Sequence, residues 1–534
     1  MLDLRIINGL VVDGMGGEPF PGGVGIRNGR IAVVGRSELP EAARTLDAQG
    51  GVIAPGFIDM HSHSDLRLLV GDPPTAKVAQ GITTEVLGQD GLGVAPVTAQ
   101  TAPVLAGLTP GLLGPLPLER WTWRSFADYL AELERADLPN NQLVLVSHGA
   151  LRLLTVGPTD RPATPQELAE MQALLREALA AGAPGFSTGL IYPPAAYAPT
   201  EELLALTRVV AAHDGVFVVH LRDEGYRLLT ALQEALTVCR EAGCRLHISH
   251  LKAHGRASWH LLPRALEMLA AARASGLTIT CDRYPYLAGS TVLSSVLPHW
   301  VLDGGPAACL HRLRNPAERS RIRQWFTYGP EVWNNQALGI GWENIVVSSV
   351  ASHRNRWVQG LSVAEIAAER GVDPVDAVCD LLAEEELSVT MISHYGCEEN
   401  LEAIYRLPYA TVGSDGIFGG QPHPRLWGSY PRFFGRYVRD RGLLTLAEAV
   451  RRVSALPAEV LRLRDRGILA AGMAADIVVF DPARIRDRAT YDAPEQPPAG
   501  ISAVVVNGRL VWDGRRLVWN NGLLPGQVLR VHRL

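Results

Sequence analysis

Residues 215–254 read GVFVVHLRDEGYRLLTALQEALTVCREAGCRLHISHLKAH, and this stretch decides the fold. An apolar run, GVFVVHL, is followed by a segment with helical spacing, LLTALQEALTVCREAG, and then by a second apolar run, CRLHISH. Short apolar runs that end in turn residues read as buried strands, and strand–helix–strand is the unit of a parallel sheet covered by helices. The alternation continues outward on both sides. VIAPGFIDMH, ITTEVLGQ, QLVLVSH and APGFSTGL precede it, with PQELAEMQALLREALAAG as a further helix, and LTITCDRYP and YATVGSDG follow it. Eight strand–helix units across residues 55–464 predict an α/β fold of the TIM-type (β/α)8 barrel class. The longest interruption, from about residue 285 to 407, falls between strands 7 and 8. It is polar, carries Gly and Pro and some helix (LSVAEIAAERG), and is expected to insert over the barrel mouth.

Both ends of the chain look different. Residues 1–54 and 465–534 are short strands with turns, LRIINGLVVDG and GVGIRNGRIAVVG at one end and ADIVVFDP and ISAVVVNGRLVWDG at the other. Asn8-Gly9, Asn28-Gly29 and Asn507-Gly508 are hairpin signals. The two ends are expected to form one small β-sandwich.

Composition bounds the function. The chain has 534 residues, 47% hydrophobic and 20% charged, with a net charge of -5, so neither a basic nucleic-acid surface nor an acidic disordered segment is expected. No run approaches the length of a membrane span. The N-terminal MLDLRIINGLVVDG reads as a strand and not a signal peptide. Six scattered cysteines without a CxxC read as reduced core residues, so a cytoplasmic location is expected. Among 50 basic residues only Lys77 and Lys252 are lysine. Each could occupy a place that arginine cannot fill, although for Lys77 chance survival is the preferred reading.

The chemistry gathers at strand ends. FIDMHSH ends in His61 and His63, TTEVLGQD in Asp90, VVHL carries His220, HISH carries His250 and VGSDG carries Asp415. The C-terminal strand ends of such a barrel share one mouth, so histidines and carboxylates there make a metal site the economical reading. The His61-x-His63 spacing lets both imidazoles face one ion, because alternate strand residues share a face. The competing reading of an isolated HxH is two polar residues at a strand end.

These motifs resemble the amidohydrolase superfamily, and within it the N-acyl-D-amino-acid deacylases (D-aminoacylases). FSTGLIYPP, HLRDEG, HISHLKAHG, CDRYPYLAGST, GSDG followed by HPRLWGSYPRFFGRYVRD, and DRGILAAGMAADIVVFDP carry the resemblance over nearly the whole chain. It implies a zinc-dependent hydrolase of N-acyl-D-amino acids with metal ligands His61, His63, Asp90, His220, His250 and Asp415. His220, His250 and Asp90 would complete a tight site, and His61, His63 and Asp415 a weaker second one, so one or two ions are expected. Asp90 stands where the family carries the cysteine of an N-C-G motif. A carboxylate can ligate or bridge zinc, but its hardness opens the site to Mn²⁺ or Co²⁺. The alternative places Asp90 behind the ligands and makes Glu85 structural.

Asp415 is then the catalytic base, holding the water and passing its proton to the leaving nitrogen. Lys252 resembles a lysine that binds the substrate carboxylate, more than a carbamylated bridging lysine. Tyr192 is a donor to the tetrahedral intermediate, Tyr284 and Ser290 resemble pocket residues, and Arg425 is a second cation. For these four a packing or loop role is the competing reading. Arg222, Asp223 and Glu224 are read as a local ion network beside His220, while His148 and His423 are expected to support the ligands. The only partner implied is a small-molecule substrate, and the sequence carries no signal for an oligomeric state. One rival is a cyclic amidohydrolase, hydantoinase- or dihydroorotase-like. Those enzymes usually carry a lysine at the end of strand 4, where this chain reads FSTGL. A rival of another class is a non-catalytic barrel scaffold, which would have lost its ligands.

Overall fold

The computed structural model describes residues 1–36, 38–329, 332–518 and 523–531. Eight parallel strand positions close on each other. They are Phe57–Asp59, Ile82–Leu87, Asn141–Val144 continued by Val146–Ser147, Gly185–Gly189, Val216–His220, Arg245–Ile248, Ile279–Asp282 and Ala410–Thr411. Neighbours pair in parallel in chain order, through partners such as Phe57–Ile82, Leu87–Val144, Phe186–Val146, Val219–Ile248 and Cys281–Ala410. A parallel bridge between Ser62 and Gly416 joins the first strand region to the last, which closes the barrel.

Local sequence explains the alternation. The helix Pro165–Ala180 starts on a capping box, Thr164 with Glu167, and has Pro at its first turn. The helix Leu228–Ala242 stops at Gly243, whose φ of 70° is left-handed. On the fifth strand, Phe217 and Val219 pack among the surrounding helices, while Val216 and Val218 join Ile58, Met60, Val86, Leu143 and Leu145 in a separate cluster. Leu456 and Leu461 of the helix Ala455–Leu461 belong to that second cluster. The period of two places His220 on the same face as Val216 and Val218.

The insertion between the seventh and eighth strands is a folded unit rather than a polar excursion. Its antiparallel sheet orders Ala288–Val292, Val389–His394 and Ile345–Val350, and helices including Gly305–Arg314 and Pro374–Glu384 cover it. Leu293, Val301, Leu313, Ile345, Val378, Leu382 and Met391 form a core of its own.

The two termini build one hydrogen-bonded sheet. Leu2–Val11 is its long member, pairing with Phe20–Arg27, Ala42–Asp47 and Val52–Pro55, and Ile477–Phe480 adds the C-terminal strands onto Val52–Pro55. A bridge between Arg30 and Ala474 brings the curled sheet back on itself around Leu4, Ile6, Ile26, Ile53, Ile477 and Val505. Asn28-Gly29 and Asn507-Gly508 both turn hairpins with positive φ at each residue. Asn8-Gly9 does not. Asn8, at φ 57°, lies inside the long strand and marks a register shift after Ile6. A Cβ on Gly9 would lie 2.5 Å from the Ile53 side chain, so glycine there serves close packing. Past the sheet, Gln142 donates its amide to Gln527 and accepts from Leu529, which ties the C-terminal segment to the third barrel strand.

Candidate metal centre and substrate cavity

Asp90 is the hub of the site. Its Oδ2 lies 3.4 Å from His61 Nε2, 3.8 Å from His63 Nε2, 3.6 Å from His220 Nδ1 and 3.5 Å from His250 Nε2. Ligands at about 2.0–2.2 Å around a tetrahedral zinc are separated by roughly 3.3–3.5 Å, so most of these spacings would let the atoms share an ion. His61 Nε2 and His63 Nε2 are 3.3 Å apart, and Asp415 Oδ1 is 3.2 Å from His63 and 3.7 Å from His61. Among the described residues three overlapping groups could hold an ion, His61–Asp90–His250, His61–His63–Asp415 and His220–Glu224–His250. His61 links the first two, and His250 links the first and third. All six side chains are buried, and at the hub His220 Nδ1 and Asp90 Oδ1 have no hydrogen-bond partner. Buried polar atoms left without partners are costly in a bare protein and fit a cation.

The regular first strand ends at Asp59, so His61 and His63 sit in the turn beyond it. Backbone bonds hold that turn. Asp415 N donates to His61 O at 2.8 Å, and Asp59 Oδ1 accepts from His61 N at 3.3 Å and Ser414 N at 2.7 Å. Gly413 is needed for the close approach, because a Cβ would lie 2.6 Å from His61 Cβ. Three ligand residues adopt left-handed backbone, Asp90 at φ 55°, His250 at φ 32° and Asp415 at φ 49°. Each such residue costs on the order of 1–3 kcal/mol, a strain that concentrates at functional sites.

Charge is tightly paired around this hub. Burial raises the Asp415 pKa, but Arg425 and His61 outweigh it and hold the carboxyl well below the usual range. Arg425 Nη1 is 2.8 Å from Asp415 Oδ2. Burial likewise works against charge on His220, while Glu224 and Asp90 lift its pKa to about 9.

Glu224 is the functional residue the sequence reading missed. Its carboxylate lies 3.3 Å from His220 Nε2, 3.2 Å from His250 Nδ1 and 2.6 Å from Lys252 Nζ. The expected three-residue network is not there, because Arg222 pairs with Glu234 and Asp223 with Arg227. Glu224 faces the nitrogens of His220 and His250 that point away from Asp90, so it can accept both N–H groups and fix both tautomers.

The other expected residues line one cavity. Tyr192, Tyr284, Ser290, Lys252 and Arg425 border it together with His63, Asp90, His220, His250 and Asp415. Tyr192 OH meets Thr291 Oγ1 at 2.9 Å. Arg425 stacks 4.6 Å from the Tyr284 ring centroid and donates to Ser290 O at 2.9 Å. Its buried Nε has no partner. His423 sits behind Arg425, accepting from its backbone N–H at 2.9 Å. His148 is elsewhere, bonded to Thr188 and Glu202.

A family profile described as "Amidohydrolase family" matches residues 44–512. The chain belongs to the amidohydrolase family. Within it, this amidohydrolase is 38% identical over 516 residues to an N-acyl-D-glutamate deacylase of Alcaligenes xylosoxydans xylosoxydans, covering 96% of this chain and 94% of that one. It is 36% identical over 513 residues to a D-aminoacylase of the same organism, with the same coverage. A crystal structure of the N-acyl-D-glutamate deacylase of Bordetella bronchiseptica, complexed with zinc and a phosphonate mimic of the tetrahedral intermediate, superposes with a TM-score of 0.83. It shares 35% identity and covers 99% of each chain. An L-hydantoinase of Arthrobacter aurescens, at 17% identity, TM-score 0.55 and 99% and 100% coverage, shares the fold alone. Among the described residues no helix is long and apolar enough to cross a membrane.

Proposed function

We propose that this amidohydrolase hydrolyses the amide of N-acyl-D-amino acids to a carboxylate and a free D-amino acid. His61, His63, Asp90, His220, His250 and Asp415 would hold one or two zinc ions. The observation that carries this reading is that one cavity joins the His/Asp cluster to Arg425, a buried guanidinium with an unpartnered N–H. An N-acyl amino acid offers a carboxylate near its scissile amide, and the full-length relatives act on that class.

Bound zinc would supply hydroxide near neutral pH and polarise the scissile carbonyl. The protein's own groups do the rest. Asp415 Oδ1 faces His63 and His61 while Oδ2 is fixed by Arg425, so one oxygen is oriented to take the water proton. The C–O bond forms, the C–N bond breaks, and Asp415 returns the proton to the leaving nitrogen. The Tyr192 hydroxyl donates to the oxyanion. Arg425 takes the substrate carboxylate, with Tyr284 and Ser290 shaping that end.

Lys252 has a shared role. Its ammonium bonds Glu224, His250 O and His250 Nδ1. With zinc held by His250, the His250 Nδ1 would carry a proton and no longer accept, which would leave the third Lys252 N–H to join Arg425 on the substrate carboxylate. No lysine ends the fourth strand, Gly185–Gly189, which removes the usual bridging group of the cyclic amidohydrolases.

A panel of N-acetyl-D- and N-acetyl-L-amino acids, assayed with zinc, tests the proposal. Turnover of the D series is expected. Turnover of hydantoin or dihydroorotate without any N-acetyl-D-amino acid would replace this reading with the cyclic one. A protein that retains no zinc after dialysis would point to the scaffold.

A further inference from the structure

One relative is named for D-glutamate and the other for D-amino acids in general, and their similar identities do not choose a side chain for this chain. The cavity lining does. We infer that the substrate side chain is uncharged, so that N-acyl derivatives of neutral D-amino acids are preferred over those of D-glutamate and D-aspartate. This rests on the deacylase reading.

The cavity's cations are already committed. Among the described residues lining the cavity, the basic side chains apart from histidines are Lys252 and Arg425, and each already faces a carboxylate. Arg425 is needed for the carboxylate common to all these substrates. Lys252, held 2.6 Å from Glu224 Oε1, has only its remaining N–H to offer, and that joins Arg425 on the same common carboxylate. His254 also lines the cavity, but burial pushes its pKa down to about 3, so the ring is neutral in the working range. The remaining lining holds the carboxylates Asp90, Glu224 and Asp415 and no further cation apart from the histidines. Leu92, Leu112, Ile191 and Ile417 make an apolar wall, and Asn334, Gln336 and Ser393 come from the insertion. Whichever of these surfaces takes the side chain and whichever takes the acyl group, neither offers a cation. A second carboxylate entering here would lose water and meet dipoles or methyl groups, a penalty with no return. Discrimination by an uncompensated buried charge is strong.

Steady-state kinetics with zinc on the N-acetyl derivatives of D-Met, D-Leu, D-Gln, D-Glu and D-Asp tests this. The neutral substrates are expected to exceed D-Glu and D-Asp in kcat/KM by about 100-fold or more. D-Glu or D-Asp within tenfold of the best neutral substrate would overturn the inference while leaving the deacylase reading intact. Hydrolysis of none of the five would overturn both. Leu112→Arg supplies the missing cation on a loop without any proposed ligand. It should raise the ratio of D-Glu to D-Leu turnover at least about tenfold, through KM for D-Glu. A variant that folds and leaves this ratio unchanged would count against the wall as the side-chain surface.

Discussion

At the scale of single residues, Asp90 carries the most consequence. Four imidazoles lie within 3.4–3.8 Å of its Oδ2, the spacing that supports the proposal of Asp90 as a ligand where the family carries a cysteine. Asp90→Ala is expected to lower zinc retention and kcat together, activity by about 100-fold or more. Inductively coupled plasma analysis beside the assay would check it, and unchanged zinc content would remove Asp90 from the site. Glu224→Gln keeps shape but weakens the acceptor for two ligand N–H groups. Zinc affinity is expected to fall about 10–100-fold, as it does when residues that orient metal ligands are changed. Competition with a zinc-binding dye measures this directly. Glu224 escaped the sequence reading because it follows Arg222 and Asp223, and adjacent charges look like a solvated cluster. Only the turn after the fifth strand separates them, sending two outward to Glu234 and Arg227 and one inward. The left-handed backbone of His250 is equally invisible in HISH.

At the scale of elements, the barrel strands were legible because apolar runs ended in polar ligands. The insertion was not, since its strands pair antiparallel within a local core and leave no strand–helix rhythm. Asn8-Gly9 looked like a hairpin by local chemistry, and contact with Ile53 made it an irregularity of one long strand. Lys77 corrects another expectation. It is fully buried, bonded to Asp59 at 2.7 Å, Ser62 at 2.9 Å and Ser414 at 2.6 Å, with Glu85 at 3.5 Å. It clamps the first, second and eighth strand regions beneath the metal ligands, so its survival is not chance. A Cβ built on Gly416 would be 3.2 Å from its Nζ, which leaves little room for a guanidinium. Lys77→Met should destabilise by about 3–5 kcal/mol, because Asp59 and Glu85 stay buried without their counter-charge. Lys77→Arg should also lose stability. Urea denaturation of both variants decides the matter, and wild-type midpoints would refute the clamp.

At the scale of the whole molecule, buried neutral histidines set the acid limit. Burial depresses the His148 pKa below its ordinary 6.5, with Glu202 opposing. Burial and Arg425 depress that of His423. Both bind protons more readily when unfolded, so their contribution to stability is present above about pH 6.5 and drains away as pH falls below it. The Tm is expected to drop between about pH 7.5 and 5.5, and His148→Gln to flatten that slope relative to wild type at equal zinc. A wild-type Tm that is level or rises over this interval would contradict the assignment.

The Asp59–Ser414 contact spans 355 residues of chain. In the order of synthesis, His61 emerges early, but its carbonyl gains the Asp415 N–H only when Asp415 has left the ribosome and the last strand has docked. Half of the ion-binding cluster is therefore made near the start and becomes competent near the end. The His61–His63–Asp415 group is complete only once the last strand has docked, and ion uptake there would report completed folding.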